Sequence, residues 1–231
     1  MRAPKSHVRV ALATTLLAGA ALTGSAAAAG FAHADSSRAG DANIAPVGRA
    51  DLHPEASPLF SVARRLPKVS ADQVLRLAES QVGVRENGYG GGTKFHDWYM
   101  NSPRARETVA RDGGKVTDYR NAAWCDMFVS WVGDKLGIRP AMGWDAYTVS
   151  HASWFKENKR WGTHPVRGAV VFFGWDGGKL LHNIDHVGFV IKDNGDGTIQ
   201  TVEGNTGNGK VEIRTRPTAD VVGYGYPVYT A

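Results

Sequence analysis

The chain has 231 residues, of which 42% are hydrophobic and 21% charged, and its formal net charge is +5. These values fit one globular domain with appendages and exclude a disordered or fibrous chain. Residues 1–34 hold three basic and no acidic side chains, which leaves 24 basic against 22 acidic beyond them, a net of +2 that is too weak a field for nucleic-acid binding.

Arg2, Lys5 and Arg9 precede the apolar run Val10–Ala21, and Ala32-His33-Ala34 puts small residues where a signal peptidase reads them. This pattern predicts a secretory signal peptide over 1–34, its apolar run too short to span a membrane, and so an exported protein without stable membrane insertion. Residues 35–70 mix Ala, Pro, Ser, Asp and Arg with no sustained period and read as a flexible leader, with a partial packing of Leu59–Leu66 open. Residues 71–231 form the single domain.

The domain opens on a capping-box pattern, Ser70-Ala71-Asp72-Gln73, with Val74, Leu77, Ala78 and Val82 tracing the apolar face of a helix. Gly88–Gly92 is a flexible loop, and no Gly-Lys-Ser/Thr follows to make it a phosphate cradle. The aromatics of Lys94–Tyr99 would line a groove or cap the core. Phe128, Val132 and Leu136 recur at helical spacing, with Gly137 as a stop, so Cys125 falls in or near the first turn of a helix of roughly a dozen residues. A third helix covers Thr148–Asn158. Strands follow at Val170–Phe173, Val187–Ile191, Thr198–Val202, Val211–Arg216 and Val222–Val228. Helices first and an antiparallel sheet after is an α+β layout.

Cys125 is the chain's one cysteine. Exported proteins use cysteine mostly in disulfides, and a lone thiol outside the cell is exposed to oxidation. Such a residue is either buried and inert or kept because it reacts. A helix N-terminus favours the thiolate and offers free N–H groups to an oxyanion. Asp126 acts the other way, since a carboxylate beside the thiol would raise its pKa.

His186 begins a β-branched run, Asp193–Gly197 makes a turn, and the returning strand ends at Glu203. The hairpin brings His186 and Glu203 to the same end, with Asn205 just beyond. A base facing a thiol, oriented by an acceptor on its other nitrogen, is what nucleophilic catalysis by cysteine needs.

Four segments in order, Trp124–Trp131, Gly168–Phe173, Ile184–Val190 and Val202–Asn205, together with Ala78–Gly83, resemble the CHAP family (cysteine- and histidine-dependent amidohydrolases/peptidases) within the NlpC/P60-like, papain-fold superfamily. The resemblance covers about residues 71–231. It implies a papain-like/NlpC-P60-like α+β fold with N-terminal helices packed on an antiparallel sheet. It also implies Cys125 as nucleophile, His186 as base, Glu203 as third member and Asn205 as a nearby polar contributor. The expected reaction is hydrolysis of an amide bond in peptidoglycan, at the muramoyl–alanine link or within the stem and cross-bridge peptides. Such a protein would be secreted or wall-associated, would act as a monomer, and would need no cofactor. Gly168-Ala169 stands where the family often has an acid after the Gly, and Asn101–Arg120 is longer and more charged than a minimal version needs.

Two other readings compete. His182 and His186 have the separation of metal ligands, but on a strand residues four apart lie about 13 Å from each other, and a third ligand is not evident. A non-catalytic wall-binding module retaining the fold is the second.

Overall fold

The computed structural model describes residues 57–231. The predicted signal peptide and most of the predicted leader lie outside the described residues. Residues 57–70, read from sequence as the end of the leader, include a short helix, α1 (Phe60–Ala63), whose Ala63 packs with Ala141 and Val228.

The helical layer contains α2 (Ala71–Glu79), α3 (Lys94–Asn101), α4 (Pro103–Asp112), α5 (Cys125–Lys135), α6 (Arg139–Met142) and α7 (Thr148–Glu157). Strands β1 (Trp161–Gly162), β2 (Val170–Phe173), β3 (His186–Asp193), β4 (Thr198–Thr206), β5 (Lys210–Pro217) and β6 (Val221–Gly225) make one sheet of order β1-β6-β2-β3-β4-β5, with every pairing antiparallel. The expected α+β class, helices on an antiparallel sheet, is what the structure has.

Local chemistry accounts for the elements. Ser70 and Gln73 close the predicted capping box on α2 (Gln73 N to Ser70 Oγ, 3.3 Å; Ser70 N to Gln73 Oε1, 2.9 Å). This helix ends at Glu79 and leaves Val82 half exposed, so the apolar face is shorter than the periodicity predicts. Thr93 caps α3, and Ser102 followed by Pro103 starts α4. Of the aromatics of α3, Phe95 and Tyr99 are fully buried in the core, whereas Trp98 is half-buried and lines a surface cavity with Trp144.

Alternation along the strands divides the core in two. Val170, Phe172, Val187, Phe189 and Val202 join the helices, with Phe128 of α5 edge-on to Phe189 at 6.3 Å. Val171, Phe173, Val190, Ile199 and Tyr224 build a second cluster on the other face. Helix α5 is buried along Cys125–Gly133, and it lies directly on β4 because position 204 is glycine. A Cβ there would stand 2.7 Å from Phe128 Cβ. The long-range contact the sequence demanded, the cysteine helix against the His186 hairpin, is therefore present.

Candidate active site

Cys125 is the first residue of α5. Its N-cap, Trp124, supplies no side-chain cap, so the amides of the first turn are not occupied by a capping side chain. Trp124 is fully buried and stacked on Phe95, ring centroids 5.4 Å apart, and its indole N–H donates to Glu86 at 3.2 Å. This packing fixes the entry of the chain into the helix. Cys125 as a whole is only 5% exposed.

His186 is the first residue of β3, opposite Phe173 of β2. Its Nε2 is 2.9 Å from Glu203 Oε2. With Nε2 committed to the carboxylate, Nδ1 is the nitrogen left to face Cys125, whose thiol favours the protonated ring. Burial alone would lower this imidazole's pKa, but the hydrogen bonds with Cys125 and Glu203 outweigh it and raise the value to about 9.

Glu203 is fully buried on β4. Besides His186, it accepts from Arg216 Nε at 2.9 Å, Arg216 Nη2 at 2.6 Å and Thr201 Oγ1 at 2.6 Å. Burial pushes its pKa up, yet Arg216 and His186 pull it down further, to about 2. A buried carboxylate needs such partners, since an uncompensated one costs several kcal/mol. Arg216 also donates to Thr206 Oγ1 at 3.0 Å, and its guanidinium stands 4.9 Å from the Trp175 ring. Trp175 stacks on Phe173 (5.2 Å, 11°) and lies 5.7 Å from the His186 ring, covering the imidazole while remaining half exposed.

The structure thus brings together Cys125, His186 and Glu203. Asn205 is not joined to them by a side-chain hydrogen bond among the described residues. Its backbone is left-handed (φ 53°), in the stretch between Glu203 and Thr206 where the β4–β5 register shifts. Asparagine tolerates that conformation, so its visible contribution is to the backbone. Arg216, Thr201 and Trp175 were not foreseen. The signal for Arg216 lay in the alternation Glu212, Arg214, Arg216 along β5, next to a strand whose glutamate would need a cation if buried.

Asp126 does not sit as a free carboxylate beside the thiol. It is fully buried and meets His151 of α7 (Oδ1 to Nδ1, 2.7 Å). Among the described residues no group of three or more His, Cys, Asp or Glu is arranged to hold a metal ion. His182 is exposed on the turn Leu181–Asn183, whereas His186 is buried against Glu203. A cavity of about 510 Å³ lined by residues such as Thr163, Asp193, Thr218 and Tyr224 includes none of the three site residues.

Gly188 gives Glu203 its room. A Cβ at 188 would stand 2.7 Å from Glu203 Cγ and 2.9 Å from the Val202 carbonyl oxygen. Gly188→Ala is expected to displace Glu203, cost about 1–3 kcal/mol in stability and lower turnover by roughly tenfold or more. Denaturant melts and turnover measured on the same preparation check both.

The two shifts also set a stability profile. The imidazole is raised from 6.5 to about 9, so its contribution is fully present below about 6.5 and is lost as pH rises through 9. The carboxyl is lowered from 4.5 to about 2, so its contribution is present above about 4.5 and is lost as pH falls through 2. The stability gap between wild type and His186→Gln is expected to shrink between pH 6.5 and 10, read from urea midpoints across that range.

Residues 116–205 match the family model described as the CHAP domain. That span contains Cys125, His186 and Glu203, and the family is the one the four motifs resemble. Among solved structures, the chain is similar to the P60 domain of an antigen from M. avium subspecies paratuberculosis, at 15% identity and a TM-score of 0.40, over 70% of this chain and 96% of that one. A comparison with curated proteins gives no match.

Proposed function

We propose that this chain, whose residues 116–205 match the CHAP domain family, is an exported cysteine hydrolase that cleaves an amide bond of peptidoglycan. The observation that carries the reading is the line Cys125–His186–Glu203, with the thiol acting on the imidazole from one side and a buried carboxylate 2.9 Å from Nε2 on the other. The family match supports the substrate class. The n-region, apolar run and Ala32-His33-Ala34 support export. No helix among the described residues is long and apolar enough to cross a membrane.

The chemistry follows from the geometry. His186, its pKa raised to about 9, already holds the thiol proton as an imidazolium, and the sulfur attacks the amide carbonyl carbon as the thiolate. The electron pair moves to the carbonyl oxygen, which the first-turn amides of α5 are placed to receive; one such donor is typically worth about 3 kcal/mol. The imidazolium then protonates the departing amine as the C–N bond breaks, leaving a thioester on Cys125. A water deprotonated by His186 attacks that thioester, and the acid is released with the thiol restored. Glu203 stays ionised throughout, because its pKa lies far below the working range. It holds the ring's orientation and stabilises the imidazolium. Trp175 keeps water from the His186–Glu203 contact, where a low local dielectric strengthens the bond.

The bond cleaved is read by mass spectrometry of fragments released from peptidoglycan of defined composition. New muramic-acid ends free of peptide would identify an amidase, and new peptide amino termini an endopeptidase. Intact walls after prolonged incubation with reduced protein would overturn the proposal.

A further inference from the structure

Directly behind the nucleophile lies a titratable pair that the proposed chemistry does not use. Asp126, the second residue of α5, and His151, on α7, are both fully buried, with 2.7 Å between Oδ1 and Nδ1. The far nitrogen, His151 Nε2, is 2.9 Å from the Met142 carbonyl oxygen. A carbonyl only accepts, so Nε2 carries a proton and donates. The ring is stacked on Phe155 (5.2 Å, 17°) and meets Phe172 edge-on, so it cannot turn to another partner. Asp126 Oδ2 is buried with no hydrogen-bond partner among the described residues.

We infer that Asp126 and His151 share one proton as a neutral unit, which pins the first turn of α5 and keeps a carboxylate charge away from Cys125. This rests on the reading of Cys125 as nucleophile. Two placements of the shared proton exist, on Nδ1 as an ion pair or on Oδ1 as a neutral acid, and the pair's net charge is zero in both. An orphaned Oδ2 is tolerable on a neutral acid and costly on a full carboxylate, which favours the second placement. Burial raises the Asp126 carboxyl against the pull of His151. Burial lowers His151, but the attraction and hydrogen bond of Asp126 override it and raise the imidazole. Losing the shared proton would leave a bare charge in the core, so the unit holds it across the physiological range. Arg104 and Asp145, themselves bonded at 2.9 Å, also act on the pair, and Arg111 donates to the same Asp145 at 2.9 Å. The thiol also faces His186 from β3, with Glu203 and Arg216 behind it.

Asp126 and His151 are thus positioning residues. They turn the apparent weakness of an aspartate next to the thiol into an anchor without a field. The test uses the pH dependence of Cys125 alkylation by iodoacetamide, which reads the thiol whether or not walls are hydrolysed. In Asp126→Asn the amide replaces the shared proton as donor to Nδ1, and the alkylation midpoint is expected to stay within about 0.3 pH unit of wild type. A carboxylate charged beside the thiol would instead make the midpoint fall by about one unit or more on its removal, and that result would overturn the inference. In the wild type, the His151 ring ¹⁵N shifts are expected to stay constant from pH 5 to 9, and a titration in that window would equally sink it. His151→Phe keeps the ring stack and removes the bond. Turnover on peptidoglycan should drop roughly tenfold with KM nearly unchanged, as loss of alignment predicts, and unchanged turnover in a folded variant would refute the anchoring role. If His151→Phe does not fold, the Asn variant and the ¹⁵N measurement still decide. If the wild-type protein leaves walls intact, the proposed function fails while these two readouts still judge the pair.

Discussion

Cys125→Ala is expected to lower peptidoglycan hydrolysis by about 10⁴-fold or more while wall binding is retained. The size follows from what the thiol does. Without the sulfur there is no thioester, and His186 is left with a neighbour that cannot be deprotonated. Substrate held against the first turn of α5 would still meet its amide donors, so binding survives. Cys125→Ser keeps the shape but replaces the thiol with a hydroxyl that is far harder to ionise, and it should fall by a comparable factor. A sedimentation assay with purified walls reports binding, and release of soluble fragments reports cleavage. Alanine-variant activity near the wild-type level would end the nucleophile assignment.

The second large effect belongs to a residue that never approaches the sulfur. Arg216→Leu is expected to cost about 3–5 kcal/mol of stability, because it leaves the buried Glu203 carboxylate without both bonds from its guanidinium partner. Arg216 is the largest influence holding that carboxyl low, so its pKa should rise in the variant and acid unfolding should begin at higher pH. A paired change, Glu203→Leu with Arg216→Leu, removes the charge together with its partner. It should unfold at higher urea than Arg216→Leu alone, since replacing both members of a buried ion pair by apolar groups is often neutral or better. Turnover should nevertheless stay low in the double variant, because His186 has lost its acceptor. Recovery of turnover in the double variant would show that Glu203 serves stability only.

Much of this arrangement is legible in the sequence. The α5 periodicity and its Gly137 stop placed Cys125 at a helix start, where the structure has it. The β3–β4 turn and strand lengths put His186 and Glu203 at one end of a hairpin, and the 2.9 Å contact follows. Arg216 was hidden because its role depends on cross-strand register. It pairs with Ile199 and reaches Glu203 diagonally, a relation fixed by which strands adjoin and by how much they are staggered. The position of β6 between β1 and β2 was hidden for the same reason, since it is a pairing between distant segments. His151 carries no sign of its role in the sequence. Only the packing of α7 on α5 makes it Asp126's partner, and with it the aspartate changes from an objection into a support.

The hairpin has a further consequence. Its chemistry is confined to one end, where β3 starts and β4 finishes, and residues 193–197 at the other end are exposed. Eight strand residues separate the two, on the order of 25 Å of chain. That tip is where a fluorophore, an affinity tag or a targeting module could be spliced into the protein without disturbing its reactive thiol.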